Sequence, residues 1–321
     1  MVVVYSSGFV AVVVFVNPGS RANRKDPGCA DRLARILGDQ GRVVASPSLD
    51  ELAQEARRVA AEAPDLIAIH GGDGTLHRTL SALIGAYGDR TLPPLAILPG
   101  GTMNVVASSL GIRVKAEALL AELAENQRAG ARPATIRRRC LRVGSDHGFI
   151  FGNGLMTNFL EEYYARGRYG TGRVLWIFLR LLLSLLSTHR YARRLFRPLR
   201  ARVRIDGQAL ARTNFTGLGV ATVSEIGFHL KLNHRADDDP ERMSALVIHG
   251  SALSLLIDLL DVRLGRGLSP KRATSFIASR VDITPETTES RYTLDGDLYW
   301  GQGPLVVEVG PALEIVRPRG R

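Results

Sequence analysis

An α/β fold is predicted: an N-terminal Rossmann-like domain over residues 1–135, then a mostly antiparallel β-sandwich domain over residues 136–321 carrying a helical insertion. Three observations carry this expectation. Short apolar runs alternate with helical segments up to about residue 130, the pattern of a parallel sheet covered by helices on both faces. Two glycine-rich stretches, His70-Gly71-Gly72-Asp73-Gly74-Thr75 and Leu98-Pro99-Gly100-Gly101-Thr102-Met103-Asn104, each join an apolar run to a helical one. Past Arg137 the texture changes to short apolar runs, some separated by hairpin signals such as Asp206-Gly207.

Each element has its own reason. The opening 1–16 is apolar, but no Lys or Arg precedes Arg21 and no cleavage pattern follows, so 10–16 reads as a first strand rather than a leader. Residues 29–38 form a helix, 42–45 a short strand, and 50–63 a helix with Asp50 as its N-cap. Strands at 66–70 and 95–98 lead into the two glycine loops, with a helix over 75–87 between them and further helices to about 130. Asn17-Pro18-Gly19-Ser20 follows the first strand and joins the loops at the carboxyl edge of the sheet, where such folds bind ligands. In the second domain, strands are expected at 137–143, 148–153, 201–205, 215–222, 244–248, 280–284 and 305–309, with the C-terminal segment free to pack back on the first domain.

Composition narrows the classes. With 321 residues, 45% of them hydrophobic, the chain can bury a substantial core. Two cysteines, Cys29 and Cys140, make neither a disulfide framework nor a metal-ligand spacing, and fit a reduced, cytoplasmic setting. The net charge of +11 is concentrated: between Glu162 and Asp206 there are 11 arginines and no acidic residue. No Gly-x-Ser-x-Gly elbow or zinc-type cluster offers a rival chemistry, and His70 reads as packed at the sheet edge rather than catalytic.

The loops point to phosphate. Backbone amides at a strand-to-helix turn face outward, the helix dipole adds positive potential, and glycine removes the Cβ that would keep an anion away. Two such turns in one domain indicate a nucleotide. No Gly-Lys-Ser/Thr occurs, and His77 stands where a dinucleotide fingerprint needs its third glycine, so a P-loop NTPase and a nicotinamide enzyme are both disfavoured. Asp73 would repel a polyphosphate unless a divalent cation or shared proton lies between them, which suggests magnesium-dependent chemistry or proton abstraction; a tight turn capped by Asp73 is the plainer reading. Asn104 is either a ligand contact or an N-cap.

Taken in order, Asn17-Pro18-Gly19-Ser20, Gly71-Gly72-Asp73-Gly74-Thr75, Pro99-Gly100-Gly101-Thr102-Met103-Asn104, Ala236-Asp237-Asp238-Asp239 and Leu294-Asp295-Gly296-Asp297 closely resemble the diacylglycerol kinase catalytic-domain family. That family includes sphingosine kinases and bacterial lipid kinases and is related to NAD kinase. The resemblance implies ATP and a lipid alcohol bound in a cleft between two domains, with Mg2+ as cofactor. It implies Asp295 as general base and Asp73 as the nucleotide-side carboxylate. Asn17, Pro18, Ser20, Gly71, Gly72, Gly74, Thr75, Gly100, Gly101, Thr102, Asn104 and Asp297 would line the nucleotide, and Asp73, Asp238 and Asp239 would serve metal. The chain departs from the family pattern: His77-Arg78 replace Glu-Val, Ser108 stands where an arginine is common, Arg21 where a glycine is common, and Asp297 replaces Glu. Arg21 or Arg78 could restore the lost charge. These departures define the alternative, a catalytically weakened lipid- or nucleotide-binding relative.

Residues 174–186 are almost wholly apolar, with Arg173, Arg180, Ser184 and Ser187 spaced as a polar stripe on one helical face. Thirteen residues rise about 20 Å, too little to span a bilayer. With the arginines that follow, the 173–204 segment suits an anionic membrane surface, making the protein cytoplasmic and peripherally attached to the inner face of the membrane. A core helix with a solvated arginine face is the competing reading. No recognition motif supports nucleic acid; a second copy of the chain, forming a homodimer, is a further candidate partner.

Overall fold

A computed structural model describes residues 12–165, 170–187, 189–227 and 230–319. Within these, nothing is described of the side chains of Arg21, Ala22 and Thr171. The expected strand start at Val10 and the apolar opening before it lie outside the described residues, as does the Arg21 side chain. The chain divides into two compact units: unit 1 comprises Met1–Arg138, Ser145–His147 and Ala312–Arg321; unit 2 comprises Arg139–Gly144 and Gly148–Pro311.

Unit 1 begins with β1 (Val12–Val16), α1 (Arg21–Lys25), α2 (Cys29–Leu37), β2 (Gly41–Ala45), α3 (Leu49–Glu62), β3 (Leu66–Gly71), α4 (Asp73–Tyr87), β4 (Leu95–Pro99), α5 (Val105–Ser109) and α6 (Ala116–Arg128). All five residues of β1 and all six of β3 are buried, the mark of parallel strands covered on both faces. The strands run parallel in the order β2-β1-β3-β4. Order reverses at β1/β3, because the chain steps from β1 outward to β2 and then crosses back to β3. Right-handed crossovers therefore put α2 on one face and α3 and α4 on the other; accordingly α2 packs on α6, and α3 on α4. The helix at 49–62 is capped by Ser48, whose hydroxyl accepts from the Glu51 N–H, and Asp50 lies inside the first turn. The N-cap expected at Asp50 is thus corrected by two residues.

The chain continues through β5 (Thr135–Val143), β6 (Asp146–Gly148), β7 (Ile150–Gly154), α7 (Leu155–Tyr164), α8 (Thr171–Leu185), α9 (Arg190–Leu195), β8 (Leu199–Ile205), β9 (Gln208–Ala209), β10 (Asn214–Phe215), β11 (Gly217–Ala221), β12 (Met243–Ile248), α10 (Ala252–Ile257), α11 (Leu259–Arg263), β13 (Ala273–Ala278), β14 (Arg280–Pro285), β15 (Glu289–Leu294), β16 (Asp297–Gln302) and β17 (Leu305–Val316). In unit 2, β10-β8-β14-β17 form one antiparallel sheet and β13-β12-β11-β7-β15-β16 another. Their inner faces share a core that includes Phe151, Val203, Phe215, Val220, Val281 and Val307, so this unit is a β-sandwich. β17 is long: its first residues belong to unit 2, while Ala312 onward belongs to unit 1, where Ile315 pairs in parallel with Leu95 of β4.

Helices α7, α8 and α9 are inserted between β7 and β8. With Ala252 of α10 they form a separate apolar cluster around Tyr163, Val174, Ile177, Leu181 and Leu195. Of the polar stripe expected along α8, Arg173 and Ser184 are interior, whereas Arg180 stays partly exposed and Ser187 is exposed. Arg173 and Arg180 both reach Glu162 Oε1, at 3.3 and 3.2 Å, and buried Ser184 accepts from the Tyr191 and Ala192 N–H groups at 3.1 Å. Ser187 lies past the helix end, donating to the Leu183 carbonyl at 2.8 Å.

Candidate active site

In unit 1 the loops after β1, β2, β3 and β4 emerge at the same sheet edge, since the four strands are parallel. After β1, Asn17 Oδ1 accepts from the Gly19 N–H at 2.9 Å, and the Asn17 carbonyl accepts from Asn23 Nδ2 at 2.7 Å. Ser20 Oγ accepts from the Asn23 N–H at 3.2 Å and so caps α1. Pro18 and Thr102 are exposed in their loops, and Gly74 lies in the first turn of α4.

The two glycine loops pack on each other. The Gly100 N–H donates to the Gly71 carbonyl at 2.8 Å. A Cβ on Gly101 would lie 2.4 Å from Gly72 Cα, and one on Gly100 would lie 2.7 Å from His70 Nε2. Those glycines are therefore required by the approach of chain to chain, whatever binds outside them. Asp73 is the first residue of α4, not its cap, and it stitches the loops together: Oδ2 accepts from the Val105 N–H and Oδ1 from the Val106 N–H, both at 3.1 Å. The leading amides of α5 thus face a carboxylate of the protein itself. Asn104 sits at φ 46° and clasps Gly101, accepting from its N–H at 2.7 Å and donating to its carbonyl at 2.9 Å, with no side-chain bond to the helix it precedes.

A cavity of about 220 Å³ is lined by Asn17, Ser46, Pro47, Leu49, Thr75 and Arg78 among others; of the two glycine loops only Thr75 reaches it. These residues follow β1, β2 and β3, so the cavity lies at the switch point where strand order reverses. Its volume is below the roughly 300–1,000 Å³ of pockets that enclose a whole small ligand. Sequence reasoning missed the Ser46–Leu49 contribution. The signal was the short polar stretch Ser46-Pro47-Ser48 directly after a strand of the same parallel sheet.

His77 is fully buried, and its Nδ1 donates to the His147 carbonyl at 2.7 Å, a packing role. His70 is buried with Cys29 Sγ 3.7 Å from its Nε2. Burial pushes the His70 imidazole below its ordinary value and the Cys29 thiol above its own.

In unit 2, Asp295 and Gly296 are the two turn residues of the β15–β16 hairpin, at φ 48° and 90°, the geometry in which Asp-Gly excels. Asp295 is 5% exposed. Its Oδ1 accepts from the Phe149 and Ile150 N–H groups at 3.0 and 2.8 Å. Tyr164 donates to the Gly296 carbonyl at 3.0 Å. Asp297 is the first residue of β16, paired with Leu294. The comparison turn, Asp206-Gly207, has the same left-handed pair, φ 47° and 83°, and its aspartate also accepts two backbone N–H groups. The two turns differ in burial: the Asp206 side chain is 36% exposed and pairs with Arg242.

The acidic turn does not form a cage. Asp238 pairs with Arg235 at 2.8 Å, and Asp239 Oδ1 accepts from the Glu241 N–H at 2.9 Å. Among the described residues no group of three or more His, Cys, Asp or Glu side chains could hold a metal ion. That donor set fits Mg2+ only in the form it takes with phosphates, where one or two carboxylates supplement oxygens of the substrate. Asp73 is suited to such a part; Asp238 and Asp239 are engaged within their own turn.

Residues 11–135 match the diacylglycerol kinase catalytic domain. Two solved structures from Bacillus anthracis str. Sterne share the fold of the whole chain. One, described as a diacylglycerol kinase, is 16% identical with a TM-score of 0.65; the other, described as a candidate diacylglycerol kinase, is 18% identical with a TM-score of 0.71. Each match covers 98% of this chain and 99% of the other. No curated protein matches in sequence. The catalytic-domain match contains the β1 turn, both glycine loops and the cavity; the Asp295 hairpin lies beyond it.

Proposed function

We propose that the protein is an ATP-dependent lipid kinase, transferring the γ-phosphate to the hydroxyl of a lipid alcohol of the diacylglycerol or sphingoid type. The observation that carries this reading is the switch-point cavity, lined by Asn17, Thr75 and Arg78, inside a segment that matches a lipid-kinase catalytic domain. Pro47, Leu49 and Leu52 offer an apolar wall for a base, and Arg78 a cation for ribose or phosphate oxygens. Asp73 orders the glycine loops and is the carboxylate we assign to a cation that accompanies the nucleotide. Magnesium, when bound with ATP, would neutralise charge developing on the transferred phosphoryl group. Asp295 takes the proton of the attacking hydroxyl, its carboxylate held in a fixed direction by two backbone amides. We place the protein in the cytoplasm, attached peripherally to the membrane's inner face.

The alternative, a relative that binds nucleotide or lipid without turnover, draws on one observation: both Asp73 oxygens already accept backbone N–H groups. ATP turnover on a panel of lipid alcohols in mixed micelles separates the readings. The kinase reading expects turnover that falls at least about 100-fold in Asp295→Asn, a change that keeps a residue tolerant of the left-handed turn. Absence of turnover on every alcohol, with ATP still bound, would establish the alternative. Full activity in Asp295→Asn would remove Asp295 from the mechanism.

A further inference from the structure

Two rows of bare leucine and isoleucine run along unit 2. On α8 and just beyond it, Leu175, Leu179, Leu182, Leu183 and Leu186 are 71, 53, 50, 56 and 79% exposed. Their spacing of 4, 3, 1 and 3 residues puts them on one helical face. On α10 and α11, Leu253, Ile257, Leu260 and Leu264 are 61, 64, 66 and 59% exposed and recur every three or four residues across the break between the helices. The rows belong to neighbouring elements, because Ala252 and Leu256 of α10 pack in the same apolar cluster as Val174, Ile177 and Leu181 of α8. Single exposed leucines need no explanation; nine in two ordered rows do.

Charge identifies the occupant. Past α8, Arg190, Arg193, Arg194 and Arg197 are all exposed, in a stretch without an acidic residue from 163 to 205. On the second element both acids are engaged, buried Asp258 with Arg272 and Asp261 with Arg266. An apolar face bordered by unopposed arginines matches the layering of an anionic bilayer, acyl chains below and phosphate above. A helix of 15 residues is about 22 Å long, and no helix among the described residues is long and apolar enough to cross a membrane, so the surface lies in the plane.

We infer that α8 and α10–α11 together form a docking surface that sinks into the headgroup boundary of an anionic phospholipid bilayer. This extends the 173–204 expectation in two ways. The second row comes from a distant part of the chain, and Arg173 and Ser184 serve the interior rather than lipid. Its purpose rests on the lipid-kinase reading, but its test does not: flotation of the full chain with vesicles of phosphatidylcholine, alone or with phosphatidylglycerol, needs neither nucleotide nor lipid alcohol. Wild type is expected to float with the anionic vesicles. Leu182→Glu/Leu183→Glu and, separately, Ile257→Glu/Leu260→Glu should each weaken partition at least tenfold, with unfolding midpoints close to wild type because the sites are exposed. Arg193→Ala/Arg194→Ala/Arg197→Ala should weaken binding to anionic vesicles by roughly 100-fold and reduce its salt dependence. Unchanged flotation in either leucine-row variant would overturn the two-row surface. So would a concentration-dependent dimer of the wild type, seen by sedimentation, that the same variants dissolve while vesicles go unbound. Vesicle binding without turnover on any lipid alcohol would retain the surface and reject the kinase.

Discussion

Asp73 shows how much one side chain decides at the smallest scale. From the sequence its carboxylate posed an electrostatic problem beside a polyphosphate; in the folded chain it also solves one, satisfying the first two amides of α5. Asp73→Asn is therefore expected to lower stability by about 1–3 kcal/mol in the absence of nucleotide and metal, because an amide nitrogen cannot accept from Val105 or Val106. Urea unfolding of the ligand-free variant measures this, and an unchanged midpoint would reduce Asp73 to a ligand contact. His70 makes a second residue-scale prediction. Burial lowers its folded-state value, so the unfolded chain takes up a proton first as pH falls. The stability it contributes is complete above about 6.5 and is lost as pH drops through the lower folded value. His70→Gln should flatten stability against pH between 5 and 7, read by chemical unfolding; an identical slope would show that other groups, His249 among them, dominate. What the sequence could not show at this scale was burial. Asp206 and Asp295 sit in matching Asp-Gly turns, and only tertiary packing makes one a surface ion pair and the other a buried acceptor.

At the scale of elements, legibility followed how an element is buried. The strands of unit 1 are covered on both faces and read as unbroken apolar runs, Val12–Val16 above all. In unit 2, β13, β15 and β16 escaped notice because Ala273–Ala278 is rich in small and polar residues and Glu289–Gln302 alternates polar groups around its turn. The leucines of α10 and α11 were passed over because the break at Asp258 divides them into runs too short to show helical periodicity. The polar stripe of α8 was found, but its direction was not. Arg173 is 7% exposed and Glu162 11%, so that pair is interior, with Arg173 and Arg180 also flanking the Trp176 ring. Glu162→Gln should accordingly destabilise the α7–α9 insertion by about 3 kcal/mol, since it leaves a buried guanidinium without its carboxylate. Hydrogen exchange localised to α8 would register this, while the β-sandwich core should stay protected.

For the whole molecule, the consequential element is β17, which no single cut can assign to one unit. Its last residues complete the parallel sheet, with Leu313, Ile315 and Val316 at 2, 0 and 0% exposure. Burying three such side chains contributes roughly 5–9 kcal/mol, comparable to the net stability of a typical domain. A chain ending at Pro311 should therefore fail to fold unit 1 cooperatively and should aggregate through the bared edge of β4, as followed by thermal unfolding and light scattering. The expected strand at 305–309 captured only the start of β17, because Gly310-Pro311 reads as a stop in sequence whereas the strand runs through it. Vectorial synthesis gives this arrangement a temporal meaning. About 180 residues separate the last helix of unit 1 from the strand that closes its sheet, a delay of roughly 10–35 s at ordinary elongation rates. Until β17 emerges, the sheet behind the glycine loops has an unpaired border. A ribosome that stops early thus releases a chain whose N-terminal unit never closes, and the switch-point cavity becomes a property of chains translated through β17.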